Sequence, residues 1–339
     1  MSGGVDSSVA AAILTEQGYS CTGVTLKLYG DGDIEDARRV AEQLGIPHQV
    51  LDLTEVFRDK VILPFIKSYE EGLTPNPCIY CNRYVKFAFP LFKNNEADCD
   101  VYATGHYVQT EQRGSRWLLK KAADNRKDQS YVLFNLAQET LARCCFPLGS
   151  LTKNEVWEIA KEKGLVRTGK QESQDICFVP GGDHGAFMEQ YTGKRYPPGE
   201  ILDTEGNVIG KHRGIVRYTL GQRRGLGVAQ NRPLYVSAKN TAENTITLGP
   251  ESSLYSKTLT ADRINLIACE DLEKPMRVKV KTRYLQQEHP AWAVQTGPDE
   301  LRVDFDEAQR AITPGQAAVL YDGDYVVGGG IIKSPIPSP

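Results

Sequence analysis

The feature that most constrains this fold is a change of periodicity near residue 180. Up to about Val179 helical and extended segments alternate, whereas from Pro180 short strands run between turn signals and no long amphipathic helix returns. Val5 to Gly18 carries apolar residues at helical spacing and closes on a glycine, and Cys21 to Leu28 reads as a strand. Asp33 to Leu44 is a second helix ending at Gly45, His48 to Leu53 a second strand, and Thr54 to Glu70 a long helix from a Thr cap. After the loop TPNPCIYCN come a helix from about Arg83 to Glu96, the strand DVYATG and a hairpin through Arg113-Gly114. Such alternation predicts an α/β domain over 1–179, a doubly wound parallel sheet covered on both faces.

Beyond it, the turn-rich GG, PPG, TEGN and GQRRGLG predict a small central domain over 180–248. RVKVKTRY, AWAVQT, LRVDFD and AAVLYDGDYVV then predict a C-terminal antiparallel β-barrel over 249–339. Within Arg277 to Tyr284, strict alternation puts Arg277, Lys279, Lys281 and Arg283 on one strand face. Lys211-His212-Arg213, Arg217 and Arg223-Arg224 form a second basic cluster, with Tyr218 and Tyr284 available to stack on bases. The plainer reading of both is a solvated face.

Forty Lys and Arg against 43 Asp and Glu leave a net charge of −3, which argues against a nonspecific nucleic-acid coat but leaves room for local basic stripes. No run approaches the roughly 18 apolar residues of a membrane span, and no leader-like segment opens the chain, so the expectation is a cytoplasmic protein with no membrane partner. Eight cysteines are too sparse in 339 residues for a disulfide framework.

Ser2-Gly3-Gly4-Val5-Asp6-Ser7-Ser8 runs directly into the first helix, where amides, hydroxyls and the helix dipole suit a phosphate. The Gly-Lys-Ser/Thr of a Walker loop is absent, so γ-phosphate transfer is not its signal. The bland alternative is a capped helix on a tail. Glycine-rich loops of doubly wound folds follow a strand, and none precedes Met1, so a first strand is expected upstream.

The second constellation is Asn76-Pro77-Cys78-Ile79-Tyr80-Cys81-Asn82, with Cys177 about a hundred residues on in QDICF. Beside a helix N-terminus a thiol pKa falls. The pair reads as redox couple, metal clip, nucleophile or buried thiols, and zinc lacks a second Cys-x-x-Cys or a His pair.

SGGVDSS is similar to the pyrophosphatase loop of enzymes that cleave ATP between the α- and β-phosphates. In order, SGGVDSS, TPNPCIYCN, ATGHY, KDQSYVL, ESQDICF, YTLGQRRGLG, VKTRY and TPGQAAVLYDG resemble the tRNA-specific 2-thiouridylase family over essentially the whole chain. The resemblance implies an adenine nucleotide α-hydrolase-like fold and ATP-dependent replacement of the carbon-2 oxygen of a tRNA wobble uridine by sulfur. ATP with Mg2+, the tRNA anticodon region and a persulfide donor, either a cysteine desulfurase or a sulfur relay protein, are the implied cofactors and partners. It implies ATP contacts from Ser2, Gly3, Gly4, Val5, Asp6, Ser7, Ser8, Leu26 and Gly105, with Asp6 near the magnesium. Contacts to tRNA would come from Asn76, Pro77, Cys78, His106, Lys127, Asp128, Gln129, Arg283, Tyr284 and Gln316. Cys177 would carry a persulfide and Cys81 would be the nucleophile that forms a transient disulfide with it.

An aspartate, a candidate general base, commonly stands in the family where this chain has Cys78. Either a Cys78 of lowered pKa acts as base, or the step needs none, or Cys78, Cys81 and Cys177 ligate a four-iron, four-sulfur cluster with one open iron. The rivals are an amidating ATP pyrophosphatase, which needs no paired cysteines, and an RNA-binding or iron–sulfur carrier protein with a dead ATP site.

Overall fold

The computed structural model describes residues 1–30, 34–88, 99–165, 176–228 and 232–336. Its first part alternates as the periodicity predicts: α1 (Val5–Glu16), β1 (Gly23–Lys27), α2 (Ile34–Leu44), β2 (His48–Asp52), α3 (Thr54–Phe57) and α4 (Leu63–Glu70). The chain continues through α5 (Pro77–Cys81), β3 (Tyr102–Ala103), β4 (Val108–Arg113), β5 (Arg116–Lys121), α6 (Ser130–Leu133), α7 (Gln138–Ala142), β6 (Cys144–Cys145), α8 (Lys153–Glu162) and α9 (His184–Thr192). β1 and β2 pair in parallel from Gly23↔His48 to Lys27↔Asp52, and β3 and β6 pair in parallel at Tyr102↔Cys144 and Ala103↔Cys145.

Local chemistry sets the helix ends. Gly18, in the left-handed region at φ +85°, ends α1 with Gly18 N–H on Thr15 O and Tyr19 N–H on Leu14 O. A Thr152/Glu155 capping box starts α8, which packs Val156 and Ala160 against Val9, Ala10 and Ala12 of α1. Thr54 is not the cap expected of it. It is the first helical residue, and its N–H and Oγ1 both donate to Asp52 Oδ1, at 3.0 and 2.6 Å. α3 and α4 are joined by a π turn at Arg58–Ile62.

The Cys-x-x-Cys segment, read as a loop, is instead helical. Asn76 Oδ1 accepts from Cys78 N–H and Pro77 occupies the first turn, a combination that starts α5 ahead of both cysteines. A second π turn, Asn82–Lys86, follows directly. The expected helical residues 89–96, Asp33 at the start of the second helix, and Glu172 to Asp175 of ESQDICF lie outside the described residues.

A four-stranded sheet follows, ordered β8-β7-β10-β9 from β7 (Gly199–Leu202), β8 (Val208–His212), β9 (Tyr235–Asn240) and β10 (Thr245–Gly249). The C-terminal barrel comprises β11 (Tyr255–Leu266), β12 (Met276–Lys281), β13 (His289–Gly297), β14 (Glu300–Arg310), β15 (Ala317–Asp322) and β16 (Tyr325–Ile336). Its order β11-β14-β13-β12-β15-β16 closes through antiparallel β11–β16 pairing, which removes free edges. The β4–β5 hairpin, predicted as part of the first domain, adds to this sheet at Tyr325↔Lys120. One core accordingly joins Val108, Leu119 and Tyr131 to Val319, Tyr321 and Ile331.

Candidate functional site

The Ser2–Ser8 loop folds on itself. Gly3 sits at φ +66°, and a Cβ there would lie 2.6 Å from the Asp36 Cβ. Ser7 and Ser8 hydroxyls donate to Gly4 O at 3.0 and 2.9 Å, and no side chain caps α1, so its first-turn amides stay available to an anion. Gly105 presses on this turn: a Cβ there would come within 2.8 Å of Asp6 C and 2.9 Å of Ser7 N. Asp6 Oδ1 accepts from Tyr107 Oη at 2.6 Å and pairs with Lys153 Nζ at 2.8 Å. That oxygen is therefore engaged within the protein. Val5 opens α1, and Leu26 is half-buried opposite Leu51. Beyond the carboxyl ends of β1 and β2 a cleft is lined by Leu28, Tyr29, Thr54, Arg58 and Tyr191.

The second half of the site gathers three thiols from two segments distant in sequence. Cys78 is exposed on α5, Cys81 is 6% exposed at its end, and Cys177 is exposed one residue before Phe178. Phe178 fixes that segment: its ring lies 5.6 Å from Phe57, 5.2 Å from Phe65 and 5.3 Å from Phe187 in the core that also holds Cys81. Cys177 and Cys78 both act electrostatically on Cys81, so the three thiols share one locality as free cysteines.

The lowered thiol pKa expected beside a helix N-terminus is not found. Burial pushes Cys81 up to about 12, and the Cys78 and Cys177 thiols, on residues exposed as a whole, are also raised by desolvation of the sulfur; in each case this outweighs the lowering effect of Lys86. Cys78 thus does not match a base of lowered pKa. Nor do the thiols form a ligand set: among the described residues no three His, Cys, Asp or Glu side chains are arranged to hold a metal ion. The donor set does not fit the iron–sulfur cluster.

Gly105-His106 joins the two halves. Gly105 contacts the phosphate loop, while His106, bonded to Thr104 Oγ1 at 2.9 Å and 5.5 Å from the Phe87 ring, feels the Lys86 charge. Burial first, then Lys86, lower its pKa to about 3, so it is neutral. Lys86, Tyr107 and Lys153 were missed from sequence. Tyr107 adjoins ATGH and Lys153 opens a capping-box helix, whereas nothing local marks Lys86.

The residues assigned to tRNA are largely engaged within the protein. Asp128, 8% exposed, accepts from Ala122 N–H at 3.1 Å and Ser130 Oγ at 2.7 Å. Gln129 Oε1 accepts from Tyr107 N–H, and Lys127 is half-buried beside them. Arg283 Nη2 donates to Ala311 O and Thr313 Oγ1, each at 2.8 Å. Gln316 Nε2 donates to Thr74 O at 2.8 Å, which ties the barrel to the segment leading into Asn76, and Pro77 is buried. Tyr284 lies 6.0 Å from the Tyr131 ring and within electrostatic reach of Cys78.

The basic strand face alternates as predicted, with Val278 and Val280 buried, though Arg277 is bonded to Asp306 at 2.7 Å and Arg283 lies past the strand. The second basic cluster is partly structural. His212 and Tyr218 are 1% and 2% exposed, and Arg217 pairs with Asp183 and Glu189. Among the described residues no helix is long and apolar enough to cross a membrane.

The chain matches the family described as the tRNA methyl transferase HUP domain over residues 1–181. It also matches the tRNA methyl transferase PRC-barrel domain over 185–250 and the Aminomethyltransferase beta-barrel domain over 256–332. It is 48% identical to the tRNA-specific 2-thiouridylase MnmA of Clostridioides difficile strain 630, over 99% of this chain and 97% of that protein. The MnmA proteins of Acetivibrio thermocellus, 48% identical over 98% of each chain, and Caldanaerobacter subterraneus, 46% identical over 99% and 97%, are similar in the same way.

Proposed function

Because the chain belongs to the tRNA-specific 2-thiouridylase family, we propose that it converts the wobble uridine of tRNA to 2-thiouridine with consumption of ATP. The observation that supports this reading is the Gly105-His106 step: Gly105 packs on the anion-ready helix N-terminus, and His106 beside it feels Lys86, the cation that also acts on the three thiols. The uridine carbon-2 oxygen attacks the α-phosphorus and pyrophosphate leaves, so a poor oxide leaving group becomes AMP. The terminal sulfur of a Cys177 persulfide, as an anion, bonds carbon 2, and the carbon–oxygen bond breaks with its electron pair on AMP. Cys81, its proton lost to solvent, attacks Cys177 Sγ. The Cys81–Cys177 disulfide forms as the other sulfur–sulfur bond breaks, and that electron pair remains on the transferred sulfur. A thiol reductant then restores both cysteines.

ATP binds through Ser2 to Ser8, Leu26 and Gly105, and Mg2+ accompanies its phosphates. Asn76, Pro77 and Cys78 line the place of the flipped-out base. His106, Lys127 to Gln129, Arg283, Tyr284 and Gln316 border it or brace it. The divisions 1–179, 180–248 and 249–339 serve ATP chemistry, connection and tRNA holding. A cytoplasmic setting supplies tRNA, ATP and a desulfurase or relay protein as persulfide donor.

The test is nucleoside mass spectrometry of unmodified tRNA incubated with the chain, ATP and a persulfide donor. The reading predicts ATP-dependent 2-thiouridine with AMP, lost in Cys81→Ser and Cys177→Ser while tRNA binding persists. Normal turnover in either variant contradicts the sulfur assignment.

A further inference from the structure

Resting on that reading, we propose that Lys86 supplies the positive charge under which the sulfur carried at Cys177 (its thiol, and once loaded the terminal sulfur of its persulfide), and then the sulfur of Cys81, is held as an anion during transfer. The reaction needs two sulfur anions in succession at one place; desolvation and the neighbouring Cys78 oppose ionisation of both, offset at Cys177 only in part by its own N–H and that of Phe178. Cys81 lies in an apolar core, and Cys78 and Cys177 raise its pKa further. His106, from the β3–β4 connection, is neutral. Tyr102 of β3 and Tyr284 beyond β12 are both raised by burial and stay protonated, and Asp128 beyond Tyr284 is held by Ala122 and Ser130. Among the described residues, the one cation that acts on Cys78, Cys81, Cys177 and His106 alike is Lys86.

Backbone geometry places it there. In an α-helix of 3.6 residues per turn the fifth residue after Cys81 lies about 140° round the axis, away from the thiol. Here the chain widens into the Asn82–Lys86 π turn, closed by Phe87 N–H on Asn82 O at 3.0 Å, which rotates Lys86 back towards the Cys81 face. The turn has a cost, since Asn82 is 2% exposed and its Oδ1 is left without a partner. Lys86 itself is half-buried and has no hydrogen-bond or ion-pair partner among the described residues, so its charge is not spent on a carboxylate.

The experiment measures iodoacetamide alkylation of Cys81 and Cys177 against pH, by peptide mass spectrometry, in the wild type, Lys86→Met and Lys86→Arg. Lys86→Met should slow both alkylations about tenfold at neutral pH and move their profiles up by about one pH unit. Lys86→Arg should restore most of the rate. Single-turnover thiolation from a preloaded persulfide should fall in parallel, with tRNA- and ATP-dependent pyrophosphate release preserved. Should Lys86→Met lower the melting temperature, Lys86→Gln decides on the same profiles. Unchanged alkylation profiles in a folded variant overturn the proposal. Alkylation needs neither tRNA nor ATP, so a wild-type chain that makes no 2-thiouridine sinks the functional reading without deciding the role of Lys86.

Discussion

The phosphate loop, which meets Gly105, and the thiol locality, which shares the Lys86 charge with the adjacent His106, are built in opposite ways. The loop is local: Ser2, Gly4, Ser7 and Ser8 satisfy one another within a few residues, and one glycine from elsewhere completes it. The thiols come from α5 and from the Cys177 segment, with Tyr284 arriving from the barrel, and packing against Phe178 holds them in register. The loop presents unsatisfied amides to solvent, while the thiol side burdens its sulfur with burial. A site assembled this way separates two tasks, anion capture by backbone and sulfur ionisation by one side chain.

Breaking the junction should have the largest effect. Gly105→Val would drive side-chain atoms into Asp6 and Ser7, and a misplacement near 1 Å should cost about 100-fold in tRNA-dependent AMP formation. Cys81 and Cys177 alkylation should be unchanged, and equal losses in both assays would show that the two halves are one unit.

The next test sharpens the electrostatic contrast. A raised thiol pKa means that only a small thiolate fraction exists at neutral pH, growing about tenfold per pH unit below that pKa. With Cys81 raised to about 12, its alkylation rate should climb without a plateau from pH 7 to 9, whereas ATP binding over that range stays flat. A plateau below pH 8 would contradict the burial effect.

The smallest effect concerns the barrel. Gln316→Ala removes the bond to Thr74 O and should cost about 1 kcal/mol, read by urea unfolding, with faster amide exchange around Asn76. Unchanged exchange there would show that the barrel does not brace the thiol segment.

The same contrast explains what the sequence made legible. SGGVDSS and its helix could be read directly because a glycine pair, a hydroxyl pair and an apolar period are neighbours in sequence. The barrel was legible through the alternation of Arg277 to Lys281, whose Val278 and Val280 point inward. The helical start at Pro77 is legible from Asn76-Pro77, a cap followed by a first-turn proline, although the surrounding TPNP reads as a loop. Lys86 was not legible: its place depends on a π turn, which helical periodicity hides. The inward commitments of Asp128, Arg283 and Gln316 depend on contacts between residues far apart, as does the docking of the β4–β5 hairpin on the barrel.

The most direct test of the central claim is a single turnover with the Cys177 persulfide preloaded, unmodified tRNA and ATP, quenched in acid and mapped by peptide mass spectrometry. The account predicts one Cys81–Cys177 disulfide for each 2-thiouridine formed, and neither product without ATP. Appearance of 2-thiouridine with both thiols still reduced would contradict it.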